Sequence, residues 1–131
     1  MKLIFCLDDR NGIAFNGRRQ SRDRKVIDKT LENNRGKIIS ISPYSEILFK
    51  DRKGIKKTED LSEEETVFIE KAVTDQMLRK ADELEVYFWN RNYPGDSFVR
   101  IDDGVFEMTG EEEFEGYSHE KITVKKYIRR K

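Results

Sequence analysis

The chain has 131 residues, 36% hydrophobic and 40% charged, which supplies one domain with one real core under a densely ionic surface. Its 26 basic and 26 acidic residues cancel, so no global field favours nucleic acid or a membrane, and electrostatic recognition has to come from local clusters. The one cysteine, Cys6, lies in the first apolar run, which excludes a disulfide framework and suits a reducing compartment.

The start, MKLIFCLDD, turns acidic too early for a signal peptide, and no segment approaches the ~20 apolar residues of a membrane helix. A soluble, cytoplasmic protein is expected. No repeat, linker or low-complexity tract divides the chain, so residues 1–131 read as a single domain.

Residues 2–7, KLIFCL, are continuously apolar after Lys2 and predict a central strand buried on both faces. Asn11-Gly12 and Asn16-Gly17 mark turns, so residues 9–20 predict a long, mobile loop. Ser21 is placed to cap a helix over 22–33 with Val26, Ile27, Thr30 and Leu31 on one face, ended by Asn34 and Gly36. Residues 37–42 predict a second strand, and Pro43 opens a short helix or turn through Leu48. The polar stretch FKDRKGIKKTEDL predicts a loop with at most a minimal hairpin.

Residues 65–70 carry Thr66, Val67, Phe68 and Ile69 and predict a strand. Ser62 with Glu65 forms a competing capping-box pattern that would run one helix from 63 to 82; the β-branched cluster favours the strand. Residues 72–82 then predict a helix with Val73, Met77, Leu78 and Ala81 facing inward. ELEVYFW predicts a strand, closed by the turn Asn92-Tyr93-Pro94-Gly95. VFEM and KITVKKYI predict an antiparallel pair joined by the acidic run EEEFE as a solvated loop. Strands alternating with helices imply a three-layer α/β/α domain. Its central sheet should be mixed, mostly parallel, with antiparallel C-terminal strands.

This order of pieces resembles the dihydrofolate reductase family. LDDRNGIAFNG is similar to the family's first strand and glycine-containing lid, at Gly12, Ile13, Ala14 and Gly17. DQMLRKADELEVYFW resembles a helix and its following strand. YPGDSFVRI resembles the Gly-Asp-Thr-x-Phe-Pro element, at Gly95, Asp96, Ser97 and Phe98. YSHEKITVKKYIRR is similar to the closing strand. The motifs are short, and their order and spacing carry the resemblance over most of the chain.

The departures from the family pattern bear on function. The lid's Leu-Pro-Trp is replaced by Arg19-Gln20-Ser21. Where the folate-binding acid should follow stand Arg24, Lys25 and Val26, with Asp23 the nearest acid. The glycine run at the end of the central strand, where a cofactor pyrophosphate approaches the backbone, becomes Ile69-Glu70-Lys71; side chains there block close approach, and Glu70 adds repulsion. The stretch between KIISIS and ETVFIE is short, so a two-strand sheet edge is expected to be trimmed. The resemblance therefore implies the family's fold without its NADPH-dependent reductase chemistry.

Five residues are the ligand-binding candidates: Arg18, Arg19, Arg22 and Arg24, with Asp23 as a displaced acid. Arginine forks suit phosphate or carboxylate. A ligand there would lie over the C-terminal ends of the strands. The plainer reading is a solvated loop whose cations pair with nearby acids, and for Asp23 a charge-paired acid in the first helical turn. Asp8-Asp9 read as a strand-ending turn, His119 as a surface ion-pair partner, and Cys6 as core. Phe88 and Trp89 alternate across a strand and read first as core packing, with one of them placed to line a cleft as the alternative. No catalytic residue, cofactor or metal is assigned.

The leading reading is a non-catalytic protein binding an anionic small molecule or a protein partner through the basic lid. Behind it stands a nucleic-acid or phosphate-processing factor using the lid and the basic tail. A divergent pterin or folate reductase ranks last.

Overall fold

The computed structural model describes residues 1–131. Its strands are β1 (Lys2–Leu7), β2 (Gly12–Phe15), β3 (Arg18–Arg19), β4 (Ile39–Ile41), β5 (Ile55–Lys57), β6 (Thr66–Phe68), β7 (Glu83–Phe88), β8 (Ser97–Phe98), β9 (Phe106–Phe114) and β10 (Ile122–Arg129). Helix α1 spans Arg24–Asn33, α2 spans Asp75–Lys80, and a 3-10 helix covers Pro43–Phe49. Seven strands form the main sheet in the order β5-β4-β6-β1-β7-β10-β9, and β3-β2-β8 form a small second sheet.

β1 is the middle strand and pairs in parallel with β6 and β7. Its apolar run is continuous because the strand's two faces feed two cores. Leu3, Phe5 and Leu7 join Val67, Leu84 and Val86 beneath Met77 and Ala81 of the α2 side. Ile4 joins Phe68, Tyr87 and Val124 beneath Val26 and Ile27 of α1 and Phe49 of the 3-10 helix. Helical segments therefore cover both faces. β10 runs antiparallel to both β7 and β9. No helix is long and apolar enough to cross a membrane.

The strand reading of 65–70 holds over Thr66–Phe68, in register with Lys2–Ile4. Ser62 caps no helix; its hydroxyl donates to Asp60 at 2.6 Å inside a turn. α2 is shorter than the expected 72–82, because the Thr74 side chain takes the Met77 N–H and sets the start there.

Several expectations are corrected. Residues 9–20 are an ordered hairpin, not a mobile loop: Ala14 pairs with Arg19, and Phe15 with Arg18. Asn16 and Gly17 supply the two positive φ angles, 52° and 68°, that a tight two-residue turn between twisted strands requires. The cap of α1 is Asp23, whose carboxylate accepts the Lys25 N–H at 2.8 Å, and not Ser21. The 49–61 stretch holds no hairpin. Ile55–Lys57 instead adds in parallel to β4, so the trimmed edge keeps one short strand.

The acidic run is not a loop either. Glu111, Glu112 and Glu113 lie within β9, opposite Lys125, Val124 and Thr123. An edge strand tolerates them because cations surround them: Lys29 reaches Glu112 at 2.8 Å and Lys121 reaches Glu113 at 3.5 Å. The joining turn comes later, where the Gly116 N–H donates to the His119 carbonyl.

Candidate functional site

The C-terminal ends of β1, β6 and β7 meet under the β2–β3 hairpin and the start of α1. Three polar networks fasten the hairpin and helix to the sheet. The first is built on Asp8, which is fully buried. Its carboxylate accepts the N–H groups of Arg10, Gly12 and Tyr93 and the Gln20 amide. Four donors make this a structural knot and agree with the turn reading of Asp8-Asp9. Gly12 is required beside it, since a Cβ there would lie 3.0 Å from the Asp8 Oδ1 and 2.7 Å from the Gln20 Nε2.

The second network is a clamp. Arg19 donates to Glu70 from Nε at 2.5 Å and from Nη2 at 3.0 Å, and its guanidinium lies 4.3 Å from the centre of the Tyr44 ring. The hydrogen bond to Glu70 is the leading cause that raises the Arg19 pKa further, against partial burial. Glu70 therefore does not face an incoming anion unpaired, and Arg19 does not offer a free fork.

The third network corrects the reading of His119 as a surface residue: it is buried. Its Nδ1 lies 2.8 Å from the Asp23 Oδ2. Its Nε2 lies 3.0 Å from both the Ser21 Oγ and the Tyr93 hydroxyl. The ring stacks on Trp89 with centroids 4.6 Å apart. Asp23 also accepts the N–H groups of Tyr117, Ser118 and Lys25. Burial pushes the Asp23 carboxyl up, but these donors outweigh it and hold the group at about 2. A carboxylate on Nδ1 fixes the tautomer with the proton on that nitrogen and leaves Nε2 to accept from a hydroxyl.

Asp23 is thus more than a first-turn acid. It caps α1 and ties the 116–119 turn to it. The spacing of 96 residues between Asp23 and His119 hid this pair from sequence patterns.

Between the networks lies a cavity of about 20 Å³, walled by Cys6, Ile13, Ser21, Phe68, Glu70 and Trp89 among others. Trp89, not Phe88, is the residue that lines it. Cys6 is half-buried in its wall, and loss of water pushes the thiol well up, helped by Glu70, Asp23 and Glu85. That setting suits the core reading of Cys6.

An open cleft of about 470 Å³ adjoins the cavity and shares Arg22, Asp23, Ile27 and Leu48 with it. Arg22, Arg24, Lys50 and Arg52 border this cleft over an apolar floor that includes Ile47. Arg24 lies 4.7 Å from the ring centre of the exposed Tyr117. The five candidates are therefore divided. Arg22, Asp23 and Arg24 share the cleft, Arg19 is clamped to Glu70, and Arg18 borders a separate groove beside Tyr93 and Pro94. Lys50, Arg52 and Tyr117 are not among the sequence candidates, and His119 is named there only as a surface residue. The basic run at 50–57 was the only sequence signal for the first two.

No group of three or more His, Cys, Asp or Glu is placed to hold a metal ion. No family model matches the chain. No curated protein matches it. Among solved structures, dihydrofolate reductase from Enterococcus faecalis, complexed with NADP(H) and RAB-propyl, is similar at 12% identity. The match has a TM-score of 0.68 and covers 99% of this chain and 96% of that one. The chain therefore has the dihydrofolate reductase fold.

The residues present do not fit a dinucleotide approaching the end of β6. Side chains of Ile69 and Glu70 occupy that turn, and the Arg19 guanidinium closes over the Glu70 carboxylate.

Proposed function

We propose that the protein binds a small anionic ligand in the cleft at the start of α1, and that it does not perform NADPH-dependent pterin reduction. The observation that carries this reading is the state of the cleft's cations. Arg52 is neutralised by Asp28 at 2.6 Å, whereas Arg22, Arg24 and Lys50 meet no carboxylate within ion-pair distance. Three free cations over Ile27, Ile47 and Leu48, beside the Tyr117 ring, suit an anion that carries a flat or apolar group. Each charge-assisted contact contributes about 1.5–3 kcal/mol, and the cleft sits against an ordered helix start and so needs little loop ordering.

The nucleic-acid reading is weaker because the basic tail is engaged internally. Arg129 donates to the carbonyls of Leu78, Arg79 and Ala81, and Lys125 and Arg130 face Glu111 and Glu107.

Isothermal titration with inorganic pyrophosphate and with a nucleoside monophosphate tests the proposal. Saturable binding is expected, weakened about ten-fold or more by R22A/R24A/K50A with the melting temperature retained. Arg18→Ala should leave affinity unchanged. Binding that survives the triple change, or that appears only with long oligonucleotides and falls steeply with salt, would overturn it.

A further inference from the structure

We propose that Ser21 is an activated nucleophile, with His119 as its general base and Asp23 as the group that orients the imidazole, acting on a short-chain acyl ester. Asp23 and His119 already tie the 116–119 turn to the α1 cap, and Ser21 adds a hydroxyl in line with them. The three meet across 98 residues of chain: Ser21 Oγ to His119 Nε2 is 3.0 Å, and His119 Nδ1 to Asp23 Oδ2 is 2.8 Å. A hydroxyl is a poor nucleophile by itself and gains strength when a neutral imidazole nitrogen takes its proton as the bond forms. The order of roles, hydroxyl to Nε2 and carboxylate to Nδ1, is the arrangement that does this on unrelated folds.

The supporting contacts point the same way. Asp23 is kept ionised by its hydrogen bonds to the 117–118 backbone, so it stabilises an imidazolium when one forms. Trp89 stacked on the ring fixes its plane. Ser21 lies at the junction of the two spaces already described: it walls the small cavity, and its neighbours Arg22 and Asp23 wall the open cleft.

The size of the cavity selects the acyl group. About 20 Å³ holds one water or one methyl group, among Cys6, Ile13, Phe68 and Trp89. A small acyl group such as acetyl suits it better than a long chain. The leaving part would extend into the open cleft, where Arg22 and Arg24 would take an anionic substituent. That half of the inference rests on the anion-binding reading; the nucleophile itself does not.

The step balances with water as co-reactant. Ser21 Oγ bonds to the acyl carbon as its proton passes to His119 Nε2. The C–O bond to the leaving group breaks, and the leaving alkoxide takes that proton. Water, losing a proton to Nε2, then attacks the acyl carbon, and Ser21 Oγ departs with the proton returned. The products are the alcohol and the carboxylic acid. Arg22, next to Ser21 in the chain and exposed, supplies a cation for the developing oxyanion.

One contact opposes the reaction. The Tyr93 hydroxyl is also 3.0 Å from Nε2 and competes with Ser21 for the same lone pair. This yields a signed test. The full-length protein is treated with methanesulfonyl fluoride, a probe small enough for the cavity and free of any anionic group, and adducts are mapped by mass spectrometry. Ser21 Oγ bonds to sulfur, fluoride leaves and the proton goes to Nε2. One adduct at Ser21 is expected, absent in S21A and formed about two- to five-fold faster in Y93F, which removes the competitor. p-Nitrophenyl acetate should be hydrolysed with the same dependence on the two variants. Folded protein that gives no Ser21 adduct, or a Y93F variant that is slower, overturns the proposal. Neither probe is anionic, so a failure of the cleft to bind anions does not affect either result.

Discussion

Arg19 holds Glu70 at two points across 51 residues of chain, and so closes the hairpin onto the end of the sheet's central strand pair. The pair is mostly shielded, with side-chain exposures of 20% and 7%. Removing one partner leaves the other charge poorly solvated. Arg19→Ala and Glu70→Gln should each cost about 1–3 kcal/mol, below the cost for a fully buried pair because Arg19 keeps some water. The double variant should recover part of the loss. Urea denaturation of the four proteins checks this as a cycle, and additive losses would show that the two side chains do not cooperate.

Acid stability should depend on Asp23. Its folded-state pKa is about 2, below the ordinary 3.8, so the unfolded chain takes up this proton first as pH falls. The stabilisation is therefore complete above about pH 4 and disappears between about pH 4 and pH 2. It should amount to about 1–2 kcal/mol after allowance for solvent screening. Denaturant midpoints measured from pH 6 to pH 2 should fall less steeply in Asp23→Asn than in the parent protein. Equal slopes would place the acid sensitivity elsewhere.

Two glycines on the same stretch of chain should respond oppositely to alanine. A Cβ at Gly116 would lie 2.7 Å from the Asp23 Oδ2 and 2.8 Å from both the His119 carbonyl oxygen and the Ile122 Cδ1. Backbone and a fixed carboxylate cannot move aside cheaply, so Gly116→Ala should cost about 1–3 kcal/mol. Gly110 has nothing within 4 Å of its would-be Cβ, and Gly110→Ala should change stability by less than about 0.5 kcal/mol. Thermal melts of the two variants compare them directly.

NADPH should produce no saturable quenching of Trp89 fluorescence and no binding heat beyond dilution. The cause is the filled turn after β6, where Ile69 and Glu70 replace open backbone. A single change such as Glu70→Gly should not create binding, because Ile69 remains and Arg19 is left without its partner. Micromolar NADPH affinity in the unmodified protein would contradict this.

Much of the fold was legible because its signals are local or periodic. The apolar run of β1, the β-branched run of β6 and the alternation in β10 each state their own burial. The site was legible only in part. Arg22 and Arg24 could be named from a basic run, but whether a cation is free depends on where the acids fold. Glu70, 51 residues from Arg19, neutralises one candidate and not the others. His119 reads as a surface residue because Ser118 and Glu120 flank it. Only the return of the 116–119 turn over the α1 cap buries it against Trp89. The acidic stretch misled because three consecutive glutamates suit a loop unless lysines lie beside them in register, and Lys121 and Lys125 belong to a different segment.

The glutamates of β9 have a consequence for assembly. β9 is the end strand of the main sheet, nine residues long, with its outer backbone groups open to another chain. A second copy adding antiparallel across this edge and centred on Glu112 would set Glu111 and Glu113 opposite their counterparts on one face and the two Glu112 side chains opposite each other on the other, about 5 Å apart. Like charges at that spacing oppose strand addition, as cationic and anionic edges do in other sheet proteins. The glutamates, each with a lysine partner of its own chain, thus make the edge a densely ionic one that is a poor template for a second copy.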